Sequence, residues 1–342
     1  MASLCLAGIL LAATVFECSA LLVMTHPAVA GLLPGRLKGL VHDLYMARVV
    51  SVIQWLPPCS RYDPEITYTL RPGSCVFTNP EFETRVSVNS LGVRDSEASL
   101  AAPQVAVLGD SQAMGWGVGD GETFARVLEK ETGLRVLDAA VSSYGTVREM
   151  MMLSRINRND LEAVVLQYAD NDLWENERFL ENGKVLPVMD REEYDRTVEE
   201  GAHPPRYRFG DYLKMALLMA ASRDRIRENT PFWPSVGECA GKFLDVLSSF
   251  SGLLAGRDLI VLELNETGTR TGFAPALRDA LKNRGEIAPG CRVIVLDTET
   301  LLDPESDYYP LDGHLNRAGH QKLGRALARI LKAREARVKV SP

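Results

Sequence analysis

The sequence contains no Cys-x-x-Cys and no His-x-x-x-His pair. Those spacings bring two ligands to one zinc ion, so no zinc site of the usual kind is expected. It also lacks a basic excess: 38 Lys and Arg stand against 45 Asp and Glu, a formal charge of -7. A chain of that balance offers no broad phosphate-binding face, which excludes nucleic acid as the main partner. Internal repeats, low-complexity tracts and long charge runs are missing as well. What is left is an ordinary globular composition, 46% hydrophobic and 24% charged over 342 residues, enough for one large domain with appendages.

No Lys or Arg precedes the one long apolar run, Leu4 to Met24, which is 21 residues long and carries a single charge, Glu17. That length crosses a bilayer. Residues 1–30 therefore read as an uncleaved membrane anchor, or as a signal peptide cut after the small residues Ala28–Ala30. A buried structural helix is the third reading, disfavoured by the position. Arg36 and Lys38 follow the run, a charge order that on its own would hold the rest of the chain inside. Cysteine count argues the other way. Outside the run, Cys59 and Cys75 bracket a short Pro- and Tyr-containing stretch and are paired, leaving Cys239 with Cys291; unpaired core cysteines are the alternative. Two disulfides imply an oxidising compartment, and the expectation is a membrane-anchored, extracytoplasmic chain, periplasmic or at the cell surface.

Residues 31–58 hold an amphipathic juxtamembrane helix, Leu37 to Leu56, ended by Pro57-Pro58. Residues 59–103 are β-rich (66–70, 75–77 and 82–88) with Pro and Gly turns, and read as a small antiparallel flap with a linker. From 104 to 336 strands alternate with helices. Strands are expected at 104–108, 134–138, 162–167, 258–264 and 292–296, and helices near 122–132, 146–156, 238–254, 274–284 and 317–334. Near-continuous apolar strands separated by helices predict a parallel five-stranded α/β sheet covered on both faces. Between 173 and 236 lies an irregular insertion with an amphipathic piece, Tyr212 to Ile226, and the sequence Pro231-Phe-Trp-Pro234; it reads as a lid or a structural decoration.

An open α/β sheet binds its ligands at the C-terminal ends of the strands. Strand 104–108 ends in Gly109-Asp110-Ser111, and strand 134–138 leads to Ser142-Ser143-Tyr144-Gly145. Strand 162–167 leads to Asp170-Asn171-Asp172, and the last strand, after a loop, to Asp312-Gly313-His314. A hydroxyl, an imidazole, a carboxylate and hydrogen-bond donors on one edge supply the roles of acyl transfer. The segment 104–334 resembles the SGNH, or GDSL-type, serine hydrolases. Ser111, Gly145, Asn171 and His314 match the four family blocks in order, with Ala169 where a glycine is usual and Asp312 two rather than three residues ahead of His314. The upstream Asn89–Asp95 is similar to a segment of membrane-associated or secreted relatives. The resemblance implies a flavodoxin-like α/β/α sandwich.

It also implies a triad of Ser111, His314 and Asp312, with Asp303 and Asp307 as other candidates for the acid. The oxyanion hole is expected from the Ser111 N–H, the Gly145 N–H and the Asn171 amide. No metal or organic cofactor is implied. Asp110 and Asp172 are expected to shape turns. Of the other histidines, His26 lies beside the anchor, His42 in the amphipathic segment, His203 in the insertion and His320 in the closing helix, which Asn316 would cap. The function expected is a serine esterase acting on acyl groups, above all O-acetyl, of a cell-surface or exported polysaccharide. An O-acyltransferase to a carbohydrate hydroxyl and a non-catalytic glycan-binding scaffold are the alternatives.

Overall fold

The computed structural model describes residues 2–48, 52–201, 207–229 and 234–340. His203 and residues 231–233 lie outside these. The apolar run forms helix α1 (Ala2–Thr25), followed by α2 (Pro27–Gly31) and α3 (Gly35–Met46). The amphipathic helix expected to reach Leu56 therefore stops at Met46. Beyond it, Val52 is extended and Ile53–Trp55 make a single 3₁₀ turn. Two consecutive β-branched residues disfavour helix, and Pro57 lies just ahead.

The flap is two antiparallel hairpins. β1 (Ser60–Asp63) pairs with β2 (Thr67–Leu70), and β3 (Gly73–Thr78) with β4 (Glu83–Val88). In the second hairpin the burial alternates with period two, sending Cys75, Phe77, Thr84, Val86 and Val88 inward. The Phe77 ring meets Trp116 of the main layer at 4.0 Å between centroids. Cys59 and Cys75 are disulfide-bonded with Cα atoms 5.3 Å apart, as expected, fastening the first hairpin to the second.

The main layer runs β5 (Val105–Leu108), α4 (Ser111–Met114), α5 (Phe124–Thr132), β6 (Val136–Asp138), α6 (Thr146–Arg155) and β7 (Ala163–Tyr168). Then come α7 (Asp172–Glu181), α8 (Arg191–Gly201), α9 (Asp211–Asn229), α10 (Val236–Ser249) and α11 (Ser251–Leu254). The chain closes with β8 (Asp258–Glu263), α12 (Phe273–Arg284), β9 (Arg292–Leu296) and α13 (Arg317–Val340). The five strands lie in the order β6-β5-β7-β8-β9, parallel throughout. That is the flavodoxin-like order. α5 packs on α13, and α10 packs on α6, α7 and α12. The central strands β5, β7 and β8 are buried along their whole length, as strands covered on both faces must be.

Two expectations are corrected. The insertion is not irregular: it carries α7, α8 and α9. α8 buries only Tyr194, whose ring packs against Trp55 and Tyr62, so it shows no apolar stripe to read. Cys239 and Cys291 are buried and free. Cys239 opens α10, which descends toward the start of β8. Cys291 sits just before β9, whose first residue pairs with the first of β8. The two thiols thus lie toward opposite ends of the strands, and they form no disulfide.

Alkylation of the unreduced, denatured protein should label Cys239 and Cys291 but leave Cys59 and Cys75 unlabelled by peptide mass spectrometry. A double Cys59→Ala, Cys75→Ala variant should lose about 3 kcal/mol in denaturant unfolding.

Candidate active site

β5 feeds straight into the turn that presents Ser111. Gly109 adopts φ +153°, and a Cβ there would lie 2.4 Å from the Gln167 side-chain oxygen and 2.6 Å from Ala113 Cβ, so only glycine fits this close strand-to-helix turn. The Asp110 carboxylate caps α4 by accepting from Gln112 N–H at 2.8 Å. Burial pushes the Asp110 carboxyl up to about 6. The turn lies where β5 leads to β6 on one side and β6 crosses back to β7 on the other, the switch point at which open α/β sheets hold ligands.

From the far end of the chain, the loop before α13 brings His314 onto this turn. Its Nε2 stands 2.7 Å from Ser111 Oγ, and its Nδ1 stands 2.5 Å from Asp312 Oδ1. Nδ1–H donating to the carboxylate leaves Nε2 to accept the Ser111 proton. Asp312 is the carboxylate that reaches His314. Asp307 is engaged by Lys322 at 2.7 Å, and Asp303 binds Ser306 within its own turn. The loop is locked by Gln112, whose side chain donates to Gly313 O and accepts from Leu315 N–H.

The other Asp312 oxygen accepts from Asn79 Nδ2 (2.9 Å), Trp116 Nε1 (3.2 Å) and Tyr45 OH (3.4 Å). Burial works to raise the Asp312 carboxyl, but the His314 charge, its hydrogen bonds and the Trp116 N–H outweigh it and hold the group below its ordinary value. For His314, burial works downward, and the Asp312 charge and hydrogen bond overcome it, leaving the imidazole raised. Glu81 accepts from Leu311 N–H (3.1 Å) and Asp312 N–H (2.6 Å), and burial carries its carboxyl up to about 7.

Ser111 and His314 face a cavity of about 460 Å³, also lined by Ser142, Ser143 and Asn171. Gly145 lies outside it, on an adjoining cavity that shares Ser143 and Asn171. Two contacts set the loops carrying Gly145 and Asn171 against each other. Thr146 Oγ1 donates to Asp172 Oδ2 at 2.9 Å, and Arg148 pairs with Glu175 at 2.5 Å. A Cβ at residue 145 would fall 2.9 Å from Glu175 Cβ, so close packing of α6 on α7 demands glycine.

Sequence reading missed the N-terminal contributors. Tyr45, Asn79 and Glu81, together with Trp116 of the main layer, hold Asp312, and Gln54 holds the second loop, donating to Ser143 Oγ at 2.8 Å and accepting from Ser142 Oγ at 3.2 Å. His42, expected to pack on the amphipathic segment, lines the Ser111 cavity and bonds Leu311 O at 2.7 Å. His320 is buried and accepts from Phe124 N–H at 3.1 Å; burial presses its imidazole down to about 3. Asn316 caps α13 through Ala318 N–H.

No protein-family model and no curated protein matches the chain. Among solved structures it is similar to a carbohydrate esterase family 2 enzyme with a carbohydrate-binding domain from Corynascus thermopiles (Myceliophthora fergusii). That match has 14% identity over 68% of this chain and 66% of that one, with a TM-score of 0.39. It is also similar to a protein assigned to the lipolytic G-D-S-L family from Desulfitobacterium hafniense (12%, 66% and 98%, TM-score 0.32). A third is a salicylyl-acyltransferase from a tetracycline biosynthetic pathway (13%, 71% and 57%, TM-score 0.37).

The electrostatics give a testable pH limb. A general base must be neutral to act, so turnover should rise with pH through a value above 6.5, the raised imidazole pKa. Asp312→Asn removes the charge that raises it. The limb should move to lower pH, and kcat should fall on the order of 10³–10⁴-fold as the tautomer is lost. A pH–rate profile of both proteins on p-nitrophenyl acetate reads both effects.

Proposed function

We propose that this protein is a membrane-anchored serine esterase that removes acyl groups, O-acetyl above all, from a cell-surface or exported polysaccharide. The observation that carries the reading is the continuous Ser111–His314–Asp312 hydrogen-bonded chain opening into a cavity at the sheet's switch point.

In the mechanism that follows, His314 Nε2 takes the Ser111 proton as Oγ attacks the ester carbonyl. The oxyanion is received by the Ser111 N–H, the Gly145 N–H and the Asn171 side-chain amide. Loss of one such donor costs on the order of 3 kcal/mol in the barrier. His314 then hands its proton to the leaving sugar hydroxyl, and an acyl-Ser111 ester remains. Water, deprotonated by the same imidazole, releases the carboxylic acid and restores the serine. Asp312 keeps the ring oriented and stabilises the imidazolium. The adjoining cavity, joined to the first at Ser143 and Asn171, gives an acceptor sugar a place to sit, which supports acyl transfer to a carbohydrate as the second reading.

α1 is long and apolar enough to cross a membrane. Three contacts support a retained anchor over a cleaved signal. Ala30, where cleavage would fall, is fully buried in α2. Glu17 accepts from Tyr207 OH (2.7 Å), Tyr212 N–H (3.2 Å) and Leu213 N–H (2.8 Å) at the start of α9. Ala20, Val23 and Met24 share a core with Tyr45 and Leu311, the neighbours of the triad acid. The Cys59–Cys75 disulfide supports an oxidising, extracytoplasmic compartment.

Ser111→Ala and His314→Ala should each abolish turnover of p-nitrophenyl acetate to a similar degree, because the pair acts as a unit. Brief exposure of the wild-type chain should leave one acetyl group on the Ser111 peptide by mass spectrometry; acetyl elsewhere, or full activity in Ser111→Ala, sinks the reading. Intact mass of the membrane-extracted protein should retain α1. A chain lacking residues 1–30 should lose activity along with the core around Tyr45 and Leu311.

A further inference from the structure

We propose that the cavity adjoining the triad is a binding subsite for a neutral sugar chain, with Trp174 as its stacking platform; this rests on the esterase reading of Ser111. Its volume of about 500 Å³ lies within the roughly 300–1,000 Å³ of small-ligand sites. Asn171, Trp174 and Arg178 follow one another at spacings of three and four from the start of α7, and so share one face of the helix. All three line this cavity, and Asn171 lines the Ser111 cavity too, so the stripe leads outward from the scissile position. Trp174 is 57% exposed in the wall of this cavity, so its indole is open to a ligand there. The Arg178 guanidinium forms no ion pair among the described residues. Gln54, Glu193 and residues 186–189 line the same cavity.

The chemistry of this lining selects the ligand. A sugar ring offers an apolar face of C–H groups to an aromatic plane and hydroxyls to side chains that donate and accept, and an indole beside Arg178, Gln54 and Glu193 supplies both. A long acyl chain is a poor match, because Arg148, Glu175, Arg178 and Glu193 would all be desolvated against hydrocarbon. A polyanion is a poor match for another reason. Arg148 is already neutralised by Glu175, and the remaining lining charges, Arg178 and Glu193, sum to zero without an ion pair between them. The neighbouring Ser111 cavity is lined by Asp43, Asp110, Asp170, Glu266 and Asp312 with no Lys or Arg among its lining residues. A uronate chain threading both would be repelled by that acidic wall.

The test uses the full chain. Trp174→Ala and Arg178→Ala should each lower the ratio of kcat/KM for O-acetylated xylotetraose to that for p-nitrophenyl acetate at least tenfold, with the change in KM, and Trp174→Phe should recover part of it. In the Ser111→Ala background, calorimetry should show xylotetraose binding that Trp174→Ala removes. If wild type turns over no ester yet this tryptophan-dependent binding persists, the esterase reading fails and the subsite stands. A ratio unchanged in both variants overturns the subsite, and so does preference for O-acetylated tetragalacturonate over the xylotetraose.

Discussion

One buried carboxylate joins the two halves of this molecule. Removing a charge from water costs several kcal/mol unless hydrogen bonds and an opposite charge replace the solvent. Asp312 meets that demand with His314 on one oxygen and Asn79, Trp116 and Tyr45 around the other. Each donor comes from a different part of the chain: the turn of the second hairpin, the loop after α4, and helix α3. Glu81, on the same hairpin turn as Asn79, holds the Asp312 backbone. The flap and α3 are thus structural conditions for the geometry of the imidazole rather than decorations of an independent sheet domain.

The same dependence explains what the sequence made legible. The five strands and their flanking helices are encoded locally, by apolar runs and by caps such as Thr123 and the Ser235–Glu238 box. So is the turn at Ser111, because Gly109 and Asp110 are dictated by its own backbone. The Asp312–Gly313–His314 pair was readable from its spacing alone, but Gly313 at φ +80° makes the segment a turn, which the sequence did not show. The supporting shell was not readable. Gln54, Tyr45 and Asn79 reach the site across separations of 88, 267 and 233 residues, and a lone Gln, Tyr or Asn in a turn or helix carries no local pattern that points there. The failed Cys239–Cys291 pairing has the same origin: elimination by count ignores that a helix and a strand place the two thiols toward opposite ends of the strands.

Glu17 extends the chain of dependence to the N-terminus. A carboxylate within an apolar helix needs partners of its own, and it finds them in the unpaired N–H groups that open α9. α9 in turn presents Asp211 to Arg48, just beyond α3. The C-terminal third of α1, α2, α3 and α9 therefore close one small core that ends on Leu311, next to the acid. A helix that served only as a tether would have no reason to bury Val23 and Met24 against the residues that position the triad.

The protonation states then set stability and activity against each other. Burial raises Asp110 to about 6, Glu81 to about 7 and Asp138 to about 8. Between its ordinary value and its raised one, each group binds more protons folded than unfolded, so stability falls as pH rises through that window. His314 is raised as well, and its contribution, complete below 6.5, is lost as pH climbs through its folded value. Asp312, held low, contributes stability at any pH above its ordinary value and gives it up only in acid. In the proposed mechanism the base must shed its proton to take one from Ser111, so activity should grow over the interval in which these buried acids make the fold less stable. The partners that keep Asp312 charged are what allow the neutral imidazole to stay in place there.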